Sequence, residues 1–198
     1  MTLPTPPTCI ACSIFRREIE ALQTTTALDL RFRFLNSMLH MVPEQLETRL
    51  RHLIDEEKQQ GRDVVLGFGD CCPQMLEFQA DAGTTRTEGI NCCEILLGRE
   101  RYRSLRKEGA FFFLPEWARR WQEIFQKELG LTAFNAKSLM GEMHTRLIYL
   151  DTGLVPIPEQ EMQEASAFTG LPWEVLPVTL EALHLNLEKA MNPRHPNE

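Results

Sequence analysis

The chain has 198 residues, of which 43% are apolar and 25% are charged, a composition typical of a globular protein that buries a core without disulfide bonds. The formal net charge is −7 and no long basic stripe offsets it, so we expect no nucleic-acid partner. The N-terminus lacks the basic and apolar regions of a signal peptide, and no apolar run approaches the roughly 20 residues of a membrane helix. We therefore expect a cytoplasmic protein that has reduced thiols and no contact with a membrane.

Strand-like and helix-like segments alternate along the chain. The first half predicts strands at 8–12, 29–35, 63–68 and 84–90, and helices that begin at Ser13, the predicted cap, at Pro43 and at about Cys92. The second half predicts strands at 110–114, 146–150 and 173–178, and helices at 115–130, 135–143, 158–169 and 179–190.

This alternation predicts an α/β fold with a mainly parallel sheet and helices on both faces. We expect a single domain over residues 8–190, with room for an arrangement in two lobes. Residues 1–7 and 191–198 are rich in proline and polar residues, which indicates loose termini.

The six cysteines fall in three groups, and each group follows a predicted strand or ends it. Cys12 ends the first strand, Cys71 follows the third strand in the turn "GFGDCCP", and Cys92 begins the helix after the fourth. Because the carboxyl ends of parallel strands form one edge of a sheet, these thiols would meet there if the strands are neighbours.

Three converging thiols can serve several purposes. Cys12 and Cys92 lie at predicted helix starts, where the helix dipole lowers the pKa of a thiol and favours the thiolate that binds metals. Three thiolates could hold an iron–sulfur cluster with one iron left for another ligand, or zinc with an open position. Redox thiols and plain core packing remain open, because a free cysteine packs like a small apolar residue.

Other residues near this edge carry weaker signals. His40 follows the second strand and could supply a fourth, imidazole ligand, whereas His144 precedes a later strand and is better explained by packing. Asp70 beside Cys71 could orient a ligand or simply form the turn. Gly67 and Gly69 lack the third glycine of a dinucleotide fingerprint, but they could let the backbone approach a bulky cofactor.

Four stretches together resemble the family catalogued as domain of unknown function 1638. These stretches are "IACSIFRREIEAL", "GFGDCC", "LLGRERYRSLRKEGAFFFLPEWARRW" and "YLDTGL". The resemblance covers about residues 8 to 190. It implies one cysteine after the first strand, one in a glycine-containing turn and one before the "LLG" helix, and these match Cys12, Cys71 and Cys92.

The resemblance also implies that Cys9, Cys72 and Cys93 are additional thiols of this chain, of which Cys72 and Cys93 are further candidate ligands. The family is common in anaerobes and methanogens, often beside corrinoid methyl-transfer systems, which implies the handling of a metal cofactor.

We therefore expect a metal-binding protein, with an iron–sulfur cluster such as 4Fe-4S as the first choice of cofactor. It would act as a carrier, an assembly factor or an accessory in metallocofactor metabolism. Its partner would be a metallocofactor or a metalloenzyme, and a homodimer is also compatible with the sequence. One alternative is a zinc-thiolate or corrinoid-linked methyltransferase. A second alternative is a thiol redox or soft-metal sensor that uses the adjacent cysteines.

Overall fold

The computed structural model describes residues 5–192. The described chain forms two compact units, residues 5–96 with 180–192, and residues 97–179. Of the termini expected to be loose, residues 1–4 and 193–198 lie outside the described part. Residues 5–7 form no helix or strand, although the Pro7 carbonyl accepts a hydrogen bond from the Arg31 backbone, and Met191 belongs to the last helix.

The first unit contains a sheet of four parallel strands in the order β2-β1-β3-β4. The strands are β1 (Thr8–Cys12), β2 (Arg31–Leu35), β3 (Val64–Gly67) and β4 (Thr84–Arg86). Every residue of β1 and β3 is buried, as expected for the central strands of a parallel sheet, which read as continuous apolar runs. Because β1, β3 and β4 are successive neighbours, their carboxyl ends lie along one edge.

The helices of the first unit lie largely where the helical patterns predict them, except for the short helix Met75–Ala80, which no pattern predicts. They are α1 (Arg16–Thr25), α2 (Pro43–Gln59), α3 (Met75–Ala80), α4 (Cys92–Leu97) and the last helix of the chain, Glu181–Met191. In α2, Pro43 occupies the first turn, where its missing N–H costs nothing, and Leu46, Leu50 and Ile54 form the buried stripe.

The second unit is built on a three-stranded parallel sheet in the order β5-β6-β7. Its elements are β5 (Ala110–Phe113), β6 (Arg146–Asp151), β7 (Trp173–Pro177), α5 (Arg99–Lys107), α6 (Pro115–Arg119), α7 (Ala136–Met143) and α8 (Glu159–Thr169). The last helix, now α9, returns to the first unit. The core of the second unit is aromatic, with Phe113 and Trp121 edge-on to Phe125 at centroid distances of 5.5 and 6.2 Å.

The α/β class with parallel strands is confirmed, and the strands divide between two sheets. In the part of the chain described here, no helix is long and apolar enough to cross a membrane.

Several predicted helix details are wrong, for local reasons. Ser13 caps no helix: residues Ser13–Phe15 form a 3-10 turn, and the Ser13 hydroxyl oxygen accepts from the Ser37 backbone N–H at 2.9 Å. The helix expected from Cys92 to Lys107 is broken at Gly98, whose φ of 78° lies outside the helical range. The helix expected over 115–130 ends at Arg119 and resumes as a π-helix, Glu123–Glu128.

Candidate functional site

Three cysteines meet at the carboxyl edge of the first sheet. Cys12 is the last residue of β1, Cys71 lies in the loop after β3, and Cys92 is the first residue of α4. The side chains of Cys12 and Cys92 share a hydrogen bond, and the Cys71 thiol is close enough to both for like-charge repulsion to raise thiol pKa values. The three thiols are therefore neighbours, and their role as metal ligands stays a prediction.

Backbone contacts between two loops bring Cys71 and Cys92 together. The Asp70 N–H donates to the Ile90 carbonyl at 2.9 Å, and a Cβ on Gly69 would lie only 2.5 Å from the Ile90 oxygen and from the Asn91 Cα. Only glycine fits at position 69, because any side chain would force the two cysteine-bearing loops apart.

A capping arrangement fixes the start of α4 and therefore the position of Cys92. The Asn91 side-chain oxygen accepts from the Glu94 N–H at 2.9 Å, and the Glu94 carboxylate accepts from the Ile90 N–H at 2.9 Å. The first bond satisfies an N–H group of the first turn that the helix itself leaves without a partner, and the second ties the preceding loop to that turn. The ordinary stabilising role of Glu94 in the first turn is thus sufficient to explain this buried carboxylate.

The surroundings favour protonated thiols. The hydrogen bond with Cys12 raises the pKa of Cys92 well above its usual value, and burial and the neighbouring thiols add to this effect. Burial, followed by repulsion from Cys12, raises the pKa of Cys71 to about 11. The expectation that the helix start lowers the pKa of Cys92 is therefore wrong, because adjacent thiols and burial outweigh the helix dipole.

The other three cysteines differ in their surroundings. Cys9 is fully buried and forms a hydrogen bond with the Gly67 backbone, and burial raises the pKa of its thiol. Cys72 is buried, and burial raises its pKa although the Gln74 and Met75 backbones form hydrogen bonds with it. Cys93 is buried beside Cys92.

The two histidines considered from sequence lie in different units. His40 belongs to a 3-10 segment, Ser37–Met41, directly after β2, and its Nδ1 contacts the Ser37 carbonyl oxygen. Its role as a fourth ligand stays a prediction. His144 precedes β6 in the second unit, packs edge-on against Phe111 at 5.2 Å, and has a pKa lowered by burial, as suits a packed side chain.

Gly67 and Gly69 each have a packing reason to be glycine. A Cβ on Gly67 would lie 2.9 Å from the Ala11 Cβ on the neighbouring strand β1, and Gly69 faces the loop at residues 90–91. That these glycines contact a cofactor stays a prediction.

A cavity of about 540 Å³ opens beside Cys71 and Cys72. Asp70 lies on its wall and pairs with Arg86, the last residue of β4, with 2.7 Å between carboxylate Oδ1 and guanidinium Nη1. Sequence reasoning singled out Asp70 but missed Arg86. The strand predicted over 84–90 placed Arg86 in mid-strand, whereas β4 ends at Arg86 and so brings it to the edge where ligand-binding groups of parallel sheets gather.

Soft thiols are suitable donors for a soft metal, but they do not stand in a ready-made coordination geometry. Within residues 5–192, no group of three or more His, Cys, Asp or Glu side chains is arranged to hold a metal ion. Metal binding at this edge would therefore require the thiols to lose protons and reorient.

A family model described as "Protein of unknown function (DUF1638)" matches residues 34–187. The chain belongs to this family. The DUF1638 match includes Cys71 and Cys92, whereas Cys12 precedes it, so the assignment of Cys12 to the family pattern stays a prediction. No curated protein and no solved structure matches the chain significantly.

Proposed function

We propose that this protein binds a soft metal centre, with an iron–sulfur cluster as the first choice, through Cys12, Cys71 and Cys92. It would serve metallocofactor metabolism as a carrier, an assembly factor or an accessory to a metalloenzyme. The observation that carries this proposal is the meeting of three thiols from three separate strand ends beside an open cavity.

Electrostatics supports a cationic ligand at this site. Cys12 and Cys71 both raise the pKa of Cys92, and Cys12 raises the pKa of Cys71, because adjacent thiolates repel one another in buried surroundings. A bound metal cation reverses this cost by supplying positive charge, so the thiolates become stable only when it is present. Uptake of the metal by the metal-free protein should then release protons.

The choice of a cluster or zinc depends on the donors and the cavity. Soft thiolates select zinc, cuprous copper and iron–sulfur clusters over hard cations, and three of them leave one coordination position for another ligand. The cavity beside Cys71 provides space for that ligand. When bound, a cluster would supply electron transfer or Lewis-acid chemistry, while the protein would hold it and limit its access to water.

The test is elemental analysis of protein purified without oxygen. We expect iron and acid-labile sulfide, with broad visible absorption. Cys12→Ser, Cys71→Ser and Cys92→Ser should each lower the metal content about tenfold or more. Even the loss of a residue that only hydrogen-bonds to a metal ligand lowers metal affinity by about that factor.

Two other cysteines provide matched controls for this test. Cys9→Ser and Cys93→Ser remove buried thiols close in sequence to the proposed ligands, and they should leave most of the metal in place. Equal losses in all five variants would contradict the ligand assignment. Stoichiometric zinc in a colourless protein would contradict the cluster and support the zinc-thiolate alternative.

A thiol redox role is the second candidate, and the hydrogen bond between Cys12 and Cys92 favours it. The raised pKa values oppose it, because reactive cysteines have thiolates stabilised near neutral pH. Metal-free protein whose free-thiol count changes by two between reduced and oxidised samples would support this role.

A further inference from the structure

We propose that the cavity beside Cys71 and Cys72 binds a small organic anion, which has a short apolar body and a carboxylate that pairs with Arg86. Arg86 and the apolar side chains of the wall would bind this anion, whereas the Cys71 thiol on the same wall belongs to the proposed metal site.

The Arg86 side chain is largely buried, and its positive charge pairs with the half-exposed carboxylate of Asp70. The Arg86 side chain is only 11% exposed, and its hydrogen bonds to described residues run from Nη1 to Asp70 and from Nε to Gln79 at 3.1 Å. Among residues 5–192, no hydrogen-bond partner faces Nη2. A guanidinium binds a carboxylate best through two parallel N–H groups, so Arg86 retains capacity for a second acceptor.

Asp70 is an exchangeable partner for Arg86. Its side chain is 51% exposed, so it can turn into water at little cost in desolvation. A carboxylate that enters the cavity would then take its place on a guanidinium that still needs a counter-charge. Asp70 thus acts as an internal competitor for the anion.

The rest of the cavity suits a short apolar body. Its wall includes Pro43, Pro73, Met75 and Leu76. The Leu76 side chain is 69% exposed, although a large apolar side chain gains free energy when it is covered. A pocket that is mostly apolar with a few placed polar groups is the usual form of a small-molecule site.

The negative group that an incoming carboxylate meets on this wall is Asp70, the residue it would displace from Arg86.

The test is ligand-observed NMR of the full-length protein, titrated separately with butyrate and with butyramide. These probes have the same shape and differ in charge. We expect saturable binding of butyrate and much weaker binding of butyramide. Asp70→Asn should tighten butyrate binding by about three- to fivefold, because it removes the competitor but keeps the shape of the side chain.

Four further variants locate the site. Arg86→Gln should abolish the preference for butyrate over butyramide, whereas Arg103→Gln, which removes an exposed positive charge from α5, should not. Leu76→Ala should weaken butyrate binding more than acetate binding. Arg86 also lines a second cavity of about 740 Å³ together with Lys189, so Lys189→Gln serves as the control for that location.

Several outcomes would overturn the proposal. Equal binding of butyrate and butyramide would show that no charge is recognised. Unchanged affinity in Asp70→Asn would show that the ion pair is only structural, and this readout remains informative if Arg86→Gln fails to fold. Loss of binding in Lys189→Gln but not in Leu76→Ala would move the site to the second cavity. A protein that retains no metal would contradict the proposed function and leave this test unaffected.

Discussion

Cys92 occupies the first position of α4, where the aligned N–H groups of a helix stabilise negative charge. Its pKa is nevertheless raised, because the Cys12 thiol is hydrogen-bonded to it and both side chains are only 5% exposed. The position of a residue within its helix is visible in the sequence, whereas the thiol that faces it from another strand is not. At the scale of the residue, the tertiary neighbour decides the protonation state.

The coupling between thiols can be measured through Cys71. Replacing Cys12 by serine should bring the pKa of Cys71 below about 11, because it removes the second-largest cause of the increase. The value should stay above the ordinary 9.0, since burial is the largest cause and remains. The measurement is the pH dependence of iodoacetamide alkylation at Cys71, followed by peptide mass spectrometry.

Cys9→Ser is the control for this experiment. Cys9 is fully buried and does not contribute to the raised pKa of Cys71, so its replacement should leave the alkylation profile unchanged. An unchanged profile in Cys12→Ser would show that the two thiols are not electrostatic neighbours.

At the scale of the element, repeated patterns made most of the helices and strands predictable. The strand at 8–12 and the helix from Pro43 were correct because a continuous apolar run and a four-residue leucine spacing each favour one structure. The failures have local causes. Helix α3 is only six residues long, too short for a periodic pattern, and Gly98 interrupts an otherwise helical sequence.

The loops that carry the cysteines depend on one close approach, at Gly69. Gly69→Ala should lower the free energy of unfolding by about 2–4 kcal/mol, because its Cβ would overlap the backbone at residues 90–91. It should also reduce metal retention, since it separates the loops of Cys71 and Cys92. Urea unfolding and metal analysis of the same sample test both effects.

Gly141→Ala is the matched control, because a Cβ on Gly141 would meet nothing within 4 Å and the residue lies inside α7. This variant should raise the free energy of unfolding by about 0.5–1 kcal/mol, as alanine favours the helix. Equal stability of the two variants would contradict the role assigned to Gly69.

At the scale of the whole molecule, a buried carboxylate ties together separate parts of the first unit. Glu57 accepts hydrogen bonds from Thr8 at 2.7 Å, from Arg33 at 2.9 Å and from Arg62 at 2.6 Å. Burial alone would raise the pKa of Glu57, but the three hydrogen bonds outweigh it and lower the pKa to about 2. The ionised form is therefore favoured by folding.

Stability should accordingly depend on pH through Glu57. A depressed pKa contributes stability that is present above the unfolded value of about 4.5 and is lost as the pH falls towards 2. We expect the free energy of unfolding to fall by on the order of 2–3 kcal/mol across this window. Urea titrations at several pH values between these limits measure it.

Glu57→Gln should flatten this pH dependence and lower stability near pH 7 by about 3 kcal/mol, because it leaves the largely buried Arg62 without its carboxylate partner. Glu77→Gln, at an exposed position on α3, should change neither quantity. An equal acid transition in wild type and Glu57→Gln would contradict this account.

The sequence by itself determined the α/β class, the alternation of elements and the placement of Cys12, Cys71 and Cys92 at strand ends, because these depend on local periodicity and turn chemistry. The tertiary structure decided the division into two sheets, the contact between Cys12 and Cys92, and the pairing of Asp70 with Arg86. These features join residues far apart in the chain. They follow from strand order and loop packing, which no local pattern encodes.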